Sequence, residues 1–177
     1  MTNTKTKARD IVLVAVMTAI IEVCKLTLSG LANVELTSFL IIMFTLYFGK
    51  NTFFAIPSFI LIEILIFGFE PMWVIAFFYV WPILFLLSLA AQRIKGAFTL
   101  ALLSGFFGLS FGFLCSFPYL FVTTATNPTA GLSSAITWWI TGIPFDVVHG
   151  VSNFALMLVL YEPVSKVLKR IKQKQSE

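Results

Sequence analysis

Charge is what this chain has least of. Lys, Arg, Asp and Glu make up 11% of its 177 residues, with twelve basic side chains, eight acidic ones and one histidine. Soluble domains carry about 25% charged residues, so an ordinary water-exposed surface is excluded. Cysteine is equally sparse. Cys24 and Cys115 lie far apart in apolar runs, which reads as packing and not as a disulfide or a metal site. With His149 as the only histidine and no H-E-x-x-H spacing, no metal-ligand motif can be assembled. No Gly-rich phosphate loop occurs, so any ATP-driven activity has to come from a partner protein. Alternation of polar and apolar residues is also missing, which excludes barrel strands and leaves helices to satisfy the backbone in lipid.

What the chain has instead is 59% apolar and 16% aromatic residues and a mean hydropathy of +0.96. Charges and turn residues divide it into six apolar segments, at about 10–28, 36–48, 53–69, 73–92, 97–121 and 134–161, followed by a basic tail at 162–177. The expectation is an all-α integral membrane protein: a single membrane domain, 1–177, of six transmembrane helices. The second segment is short for a bilayer, so it is expected to extend back through Ala32-Asn33-Val34-Glu35 or to sit where the membrane thins. The first segment lacks a small-x-small cleavage site and is read as a retained helix, not a signal peptide.

Basic residues set the orientation. With a cytoplasmic N-terminus, the inner regions hold Lys5, Lys7, Arg9, Lys50, Arg93, Lys95, Lys166, Lys169, Arg170, Lys172 and Lys174, leaving only Lys25 toward the outside. Both termini are therefore expected in the cytoplasm. The net charge of +4 is a topology signal and implies no nucleic-acid partner. On this topology the outer half collects Glu22, Lys25, Glu35, Glu63, Glu70, Trp73, Tyr79, Trp81, Trp138, Trp139 and Asp146. Carboxylates at membrane depth cost several kcal/mol unless they meet water or a partner. Glu22, Glu63 and Asp146 therefore suggest an outward-opening polar pocket, or else pairing among themselves and with Lys25.

Three stretches carry chemistry. Gly108-Leu109-Ser110-Phe111-Gly112 matches G-x-S-x-G, and His149 could serve Ser110 as a base in an intramembrane serine hydrolase. That pattern needs a strand-to-helix elbow, however, and Gly105, Gly108 and Gly112 at i, i+3 and i+7 read better as a small-residue stripe for close helix packing. Ala15 and Ala19 form a small-x-x-x-small pair in the first helix. In the last segment, Pro144 is expected to kink or start a helix. Beyond it Asp146, His149 and Asn153 share one face at i, i+3 and i+7, with Gly142 and Gly150 along its edge. That face can line a ligand cavity or form a polar network between helices.

Together these features resemble the substrate-binding S component of an energy-coupling factor (ECF) vitamin transporter. The resemblance is carried by the size, the six spans, the Ala15-x-x-x-Ala19 pair, "LANVELTSFLIIMFTLYFGK" and "WWITGIPFDVVHGVSNFALMLVLYEP". It implies a multi-pass protein of the bacterial cell membrane that performs no chemistry and needs no cofactor. Such a protein captures a vitamin or vitamin precursor, cobalamin-like or another heterocycle, on the outer side. It delivers this ligand inward with a coupling transmembrane subunit and two cytoplasmic ATPases. The resemblance implies coupling-subunit docking by Ala15 and Ala19, and lid contacts by Asn33 and Glu35. It also implies ring stacking by Trp138 or Trp139 and hydrogen bonding by Asp146, His149 and Asn153. A standalone proton-coupled secondary transporter using Glu22, Glu63 or Asp146 is the alternative reading.

Overall fold

The computed structural model describes residues 2–93 and 96–176, and side chains within 8–93 and 96–174. Lys95 and the side chains of Lys5 and Lys7 lie outside the described residues. The described residues form seven helices: α1 (Thr2–Leu28), α2 (Thr37–Phe48), α3 (Lys50–Phe67), α4 (Pro71–Ala90), α5 (Ala97–Cys115), α6 (Phe117–Thr126) and α7 (Gly131–Ser176), with a 3-10 turn at Ala91–Arg93. Among the described residues, five helical stretches are long and apolar enough to cross a membrane. The outward faces are built for hydrocarbon: Leu65, Phe106 and Val159 are 84%, 72% and 70% exposed, which a water-facing surface does not tolerate in such number.

The twelve residues of α2 reach only about 18 Å at 1.5 Å per residue. They are apolar on all sides, and every residue from Thr37 to Thr45 is buried, as expected for a helix without a polar face. Helices α1, α3, α4, α5 and α7 pack around it, and Phe39, Ile41, Ile42 and Met43 meet Phe59, Ile60, Leu84 and Met157 in one core. The expected extension of α2 through Ala32–Glu35 does not occur. The Glu35 carboxylate accepts from the Thr37 and Ser38 amides at 2.6 and 3.1 Å and from Ser38 Oγ at 2.7 Å. Those amides would otherwise be orphan donors, and taking them up starts the helix at Thr37.

The fifth apolar segment is broken into two helices at Ser116. Pro118 has no N–H to give the Leu114 carbonyl four residues back, and the Tyr79 hydroxyl of α4 donates to that carbonyl instead. The last segment departs the other way. It forms one helix of 46 residues with Pro144 and Pro163 inside it, so Pro144 neither starts nor ends a helix. The basic tail is helical as well, with Ser165 and Leu168 buried. Arg9 Nη2 donates to the Lys174 carbonyl at 2.7 Å, which brings the two ends of the chain to one end of the bundle.

The glycine stripe of α5 is a packing seam against α7. A Cβ on Gly108 would stand 2.9 Å from Gly150 Cα, and one on Gly105 3.0 Å from Phe154 Cβ, whereas Gly142 has nothing within 4 Å. Without a hydrophobic driving force between helices in lipid, such close backbone approach supplies the association. Gly108→Val should therefore lower the melting temperature in detergent, with a loss of about 1–3 kcal/mol from overpacking, while Gly142→Ala should leave it unchanged or raise it slightly.

Candidate functional site

At the end of the bundle away from the chain termini, the segment 29–36 crosses over a cavity of about 430 Å³, within the usual range for small-molecule sites. Its floor and walls come from every helix except α6. The last turn of α1 gives Lys25 and Leu28, α2 gives Thr37, α3 gives Glu63 and Phe67, α4 gives Trp73, Phe77 and Trp81, α5 gives Phe111 and α7 gives His149. The α4 aromatics recur every fourth residue and so share one face. Glu70 fixes where that face begins, because its carboxylate caps the Met72 and Trp73 amides at 3.2 and 2.9 Å and Pro71 occupies the first helical position. The rings then touch in sequence: Trp73 on Phe77 at 5.2 Å, Phe77 on Trp81 at 5.4 Å, and Trp81 on Phe111 at 5.4 Å.

The loop over the cavity is fastened to α7 at two points. Ser152 Oγ donates to the Asn33 carbonyl at 3.1 Å, with Asn33 in the left-handed region at φ 57°, which asparagine tolerates better than most residues. Glu35 Oε1 lies 3.0 Å from His149 Nε2. Burial by itself would raise the Glu35 carboxyl, but hydrogen bonds from His149, Thr37 and Ser38 outweigh it and hold the group at about 2. Glu35 is therefore a carboxylate at neutral pH, which assigns the Nε2 proton to His149 and leaves Nδ1 without a partner. Phe111 packs edge-on against the same imidazole, with ring centres 4.9 Å apart.

The second polar set is the ion pair between Lys25 and Glu63. Glu63 is 2% exposed, and its Oε1 has no partner. Glu22, buried three residues before Lys25 on α1, lies beside Glu63, and neither of its oxygens is in hydrogen-bond geometry. Of the three acids expected to line a pocket or to pair with one another and Lys25, Glu63 does both, whereas Glu22 and Asp146 lie outside the lining of this cavity.

Of the residues singled out in sequence, Asn33, Glu35 and His149 meet at the cavity. Asp146, Asn153, Trp138 and Trp139 are not in its lining. The reason for the split lies in the helix period. At about 100° per residue, Asp146 and Asn153 are turned some 60° and 40° to one side of His149, and Ser152 some 60° to the other. The Ser152 side meets the loop. On the other side Asp146 Oδ1 accepts the Gly112 amide of α5 at 2.9 Å, and Asn153 is fully buried. Trp138 stacks on Tyr119 at 4.9 Å and Trp139 packs on Phe113 at 5.1 Å, tying α7 to α6 and α5. Ser110 Oγ donates to the Phe106 carbonyl, and His149 is engaged by Glu35, so serine and histidine are not hydrogen-bonded as a nucleophile and base. Ala15 and Ala19 lie on an exposed face of α1.

Lys25, Thr37, Phe67, Phe77 and Phe111 are lining residues that sequence reasoning did not place in the site. Lys25 carried a signal as the one basic residue left among the outer acids; Phe77 and Phe111 are lost among twenty phenylalanines. Comparison of the chain with protein-family models, with curated proteins and with solved structures finds no match.

Because the folded Glu35 value is depressed, its stabilising contribution is full above the ordinary carboxyl value of 4.5 and is lost as pH falls toward about 2. Thermal melts of wild type and Glu35→Gln should differ by about 1–3 kcal/mol near pH 5. The difference should close as pH approaches 2.

Proposed function

We propose that this chain is the substrate-capture subunit, the S component, of an ECF-type micronutrient importer. It sits in the bacterial cell membrane with both termini in the cytoplasm. The observation that carries this reading is the cavity of about 430 Å³ under the 29–36 loop, at the end opposite the chain termini. It is walled by aromatic rings and held by the Lys25–Glu63 ion pair and the Glu35–His149 hydrogen bond, the arrangement of a binding site for a small heterocycle such as a vitamin or its precursor. The basic residues Lys50 and Arg93 and the tail from Lys166 to Lys174 supply the positive-inside bias for that orientation. The exposed Ala15 and Ala19 offer a smooth strip on which a coupling transmembrane subunit can dock closely, and that subunit's two ATPases supply the energy that this chain has no phosphate loop to capture.

A second reading is supported by one observation, the Glu22–Glu63–Lys25 cluster buried among helices. Such groups carry proton coupling in secondary transporters, and a standalone carrier of that type would concentrate solute in liposomes under a pH gradient alone.

The capture reading is tested by affinity purification from bacterial membranes. A coupling subunit and two ATPases should co-isolate, and mass spectrometry should find a heterocyclic small molecule in the purified protein. Ala15→Trp should abolish ATP-driven uptake and keep the small molecule bound. Full uptake by that variant removes the docking role, and pH-gradient-driven uptake by the lone protein favours the carrier.

A further inference from the structure

The Lys25 ammonium occupies an unusual place. Besides its pairing with Glu63, it lies 5.5 Å from the ring centres of Phe59 and Phe67 and 5.3 Å from that of Phe77. Aromatic faces and a carboxylate gathered around one ammonium form recognition chemistry for an organic cation, since ring quadrupoles attract positive charge most strongly when water is excluded. Here the cation in the cage is tethered to the protein itself.

Two carboxylates, Glu35 and Glu63, line the cavity. Glu35 is taken up by His149 and by the Thr37 and Ser38 amides, which leaves Glu63 as the carboxylate open to a cation. Glu63 also keeps Oε1 unpartnered while almost wholly buried, a second acceptor beyond what Lys25 uses. Lys25 is the mobile member of the cage: its side chain is 29% exposed against 3% for Glu63, and its long stem lets the ammonium swing toward water.

We propose that Lys25 is a built-in stand-in for the positive group of the captured solute, and that the cavity receives a flat organic cation. The ligand's charge displaces the Lys25 ammonium from Glu63 and the phenylalanine cage, and its ring lies along Trp73 and Phe111. In the empty protein the tethered ammonium keeps Glu63 neutralised. This assignment rests on the capture reading and adds the charge class of the ligand.

Isothermal titration calorimetry of the full-length protein in detergent, with three probes of one ring shape, tests it. The probes are 1-methylquinolinium (cation), quinoline (neutral near pH 7.5) and quinoline-2-carboxylate (anion). The cation should bind at least about tenfold more tightly than the other two, the effect of about 1.4 kcal/mol of cation–π and ion-pair attraction. Lys25→Met removes the tethered competitor and should tighten cation binding severalfold. Phe67→Leu deletes one cage ring at a position 57% exposed, where the fold does not depend on it. It should weaken the cation by about threefold and quinoline, which lacks the charge, by clearly less. If Lys25→Met is not monodisperse, the Phe67→Leu comparison decides. Preference for the carboxylate or for quinoline, saturable binding of none of the three, weaker cation binding in Lys25→Met, or an unselective Phe67→Leu each overturns the proposal. An anion preference leaves the capture reading standing, because that reading fails separately, on co-isolation and ATP-driven uptake.

Discussion

One carboxylate organises the end of the molecule where the cavity lies. Glu35 takes up the first amides of α2 and, through the same group, holds His149 of α7. The two tasks depend on each other. A helix start in a low-dielectric surrounding needs its amides satisfied, and a carboxylate there needs cationic or N–H partners to stay charged. Glu35 answers both, so the buried helix, the loop above it and the far wall of the cavity share a fixed point. Removing the charge would disturb all three together.

The remainder of the bundle is held by shape. Lipid gives apolar helices no reason to prefer one another over acyl chains, so association rests on close fit and on satisfied polar groups. The α5–α7 seam has both, with glycines meeting backbone along its length and the Asp146 carboxylate reaching the Gly112 amide because no side chain intervenes. At the Ser116 break the same economy operates between different partners. The carbonyl orphaned by Pro118 accepts from Tyr79 of α4, which draws the two halves of the fifth segment onto a neighbouring helix.

Much of this was legible in the sequence. The all-helical class followed from long apolar runs without alternation, and the glycine stripe of α5 was recognisable as a packing face from its spacing. Asn33 and Glu35 stand out in the loop after the first helix, and His149 as a polar residue in an apolar segment 114 positions beyond Glu35, and the cavity collects all three. What could not be read was which side of a helix turns inward. Asp146, His149 and Asn153 share a face in projection, yet that face is wide enough to straddle two neighbours, and only packing decides that His149 meets the loop while Asp146 meets α5. Aromatic abundance hid the rest: with so many phenylalanines, the four-residue recurrence of Trp73, Phe77 and Trp81 had no contrast against its surroundings. The tail misled for a simpler reason. Basic residues read as solvent, while Ser165 and Leu168 beneath them continue a buried stripe.

The length of α7 joins two regions that sequence treats as separate. From His149 to Lys174 the helix runs about 38 Å at 1.5 Å per residue, with the loop fastened near its middle through His149 and Ser152 and the start of α1 fastened near its end through Arg9. One continuous helix therefore carries both fastenings, the loop above the cavity and the start of the chain, with Pro163 lying between them where the ladder of amide donors is interrupted.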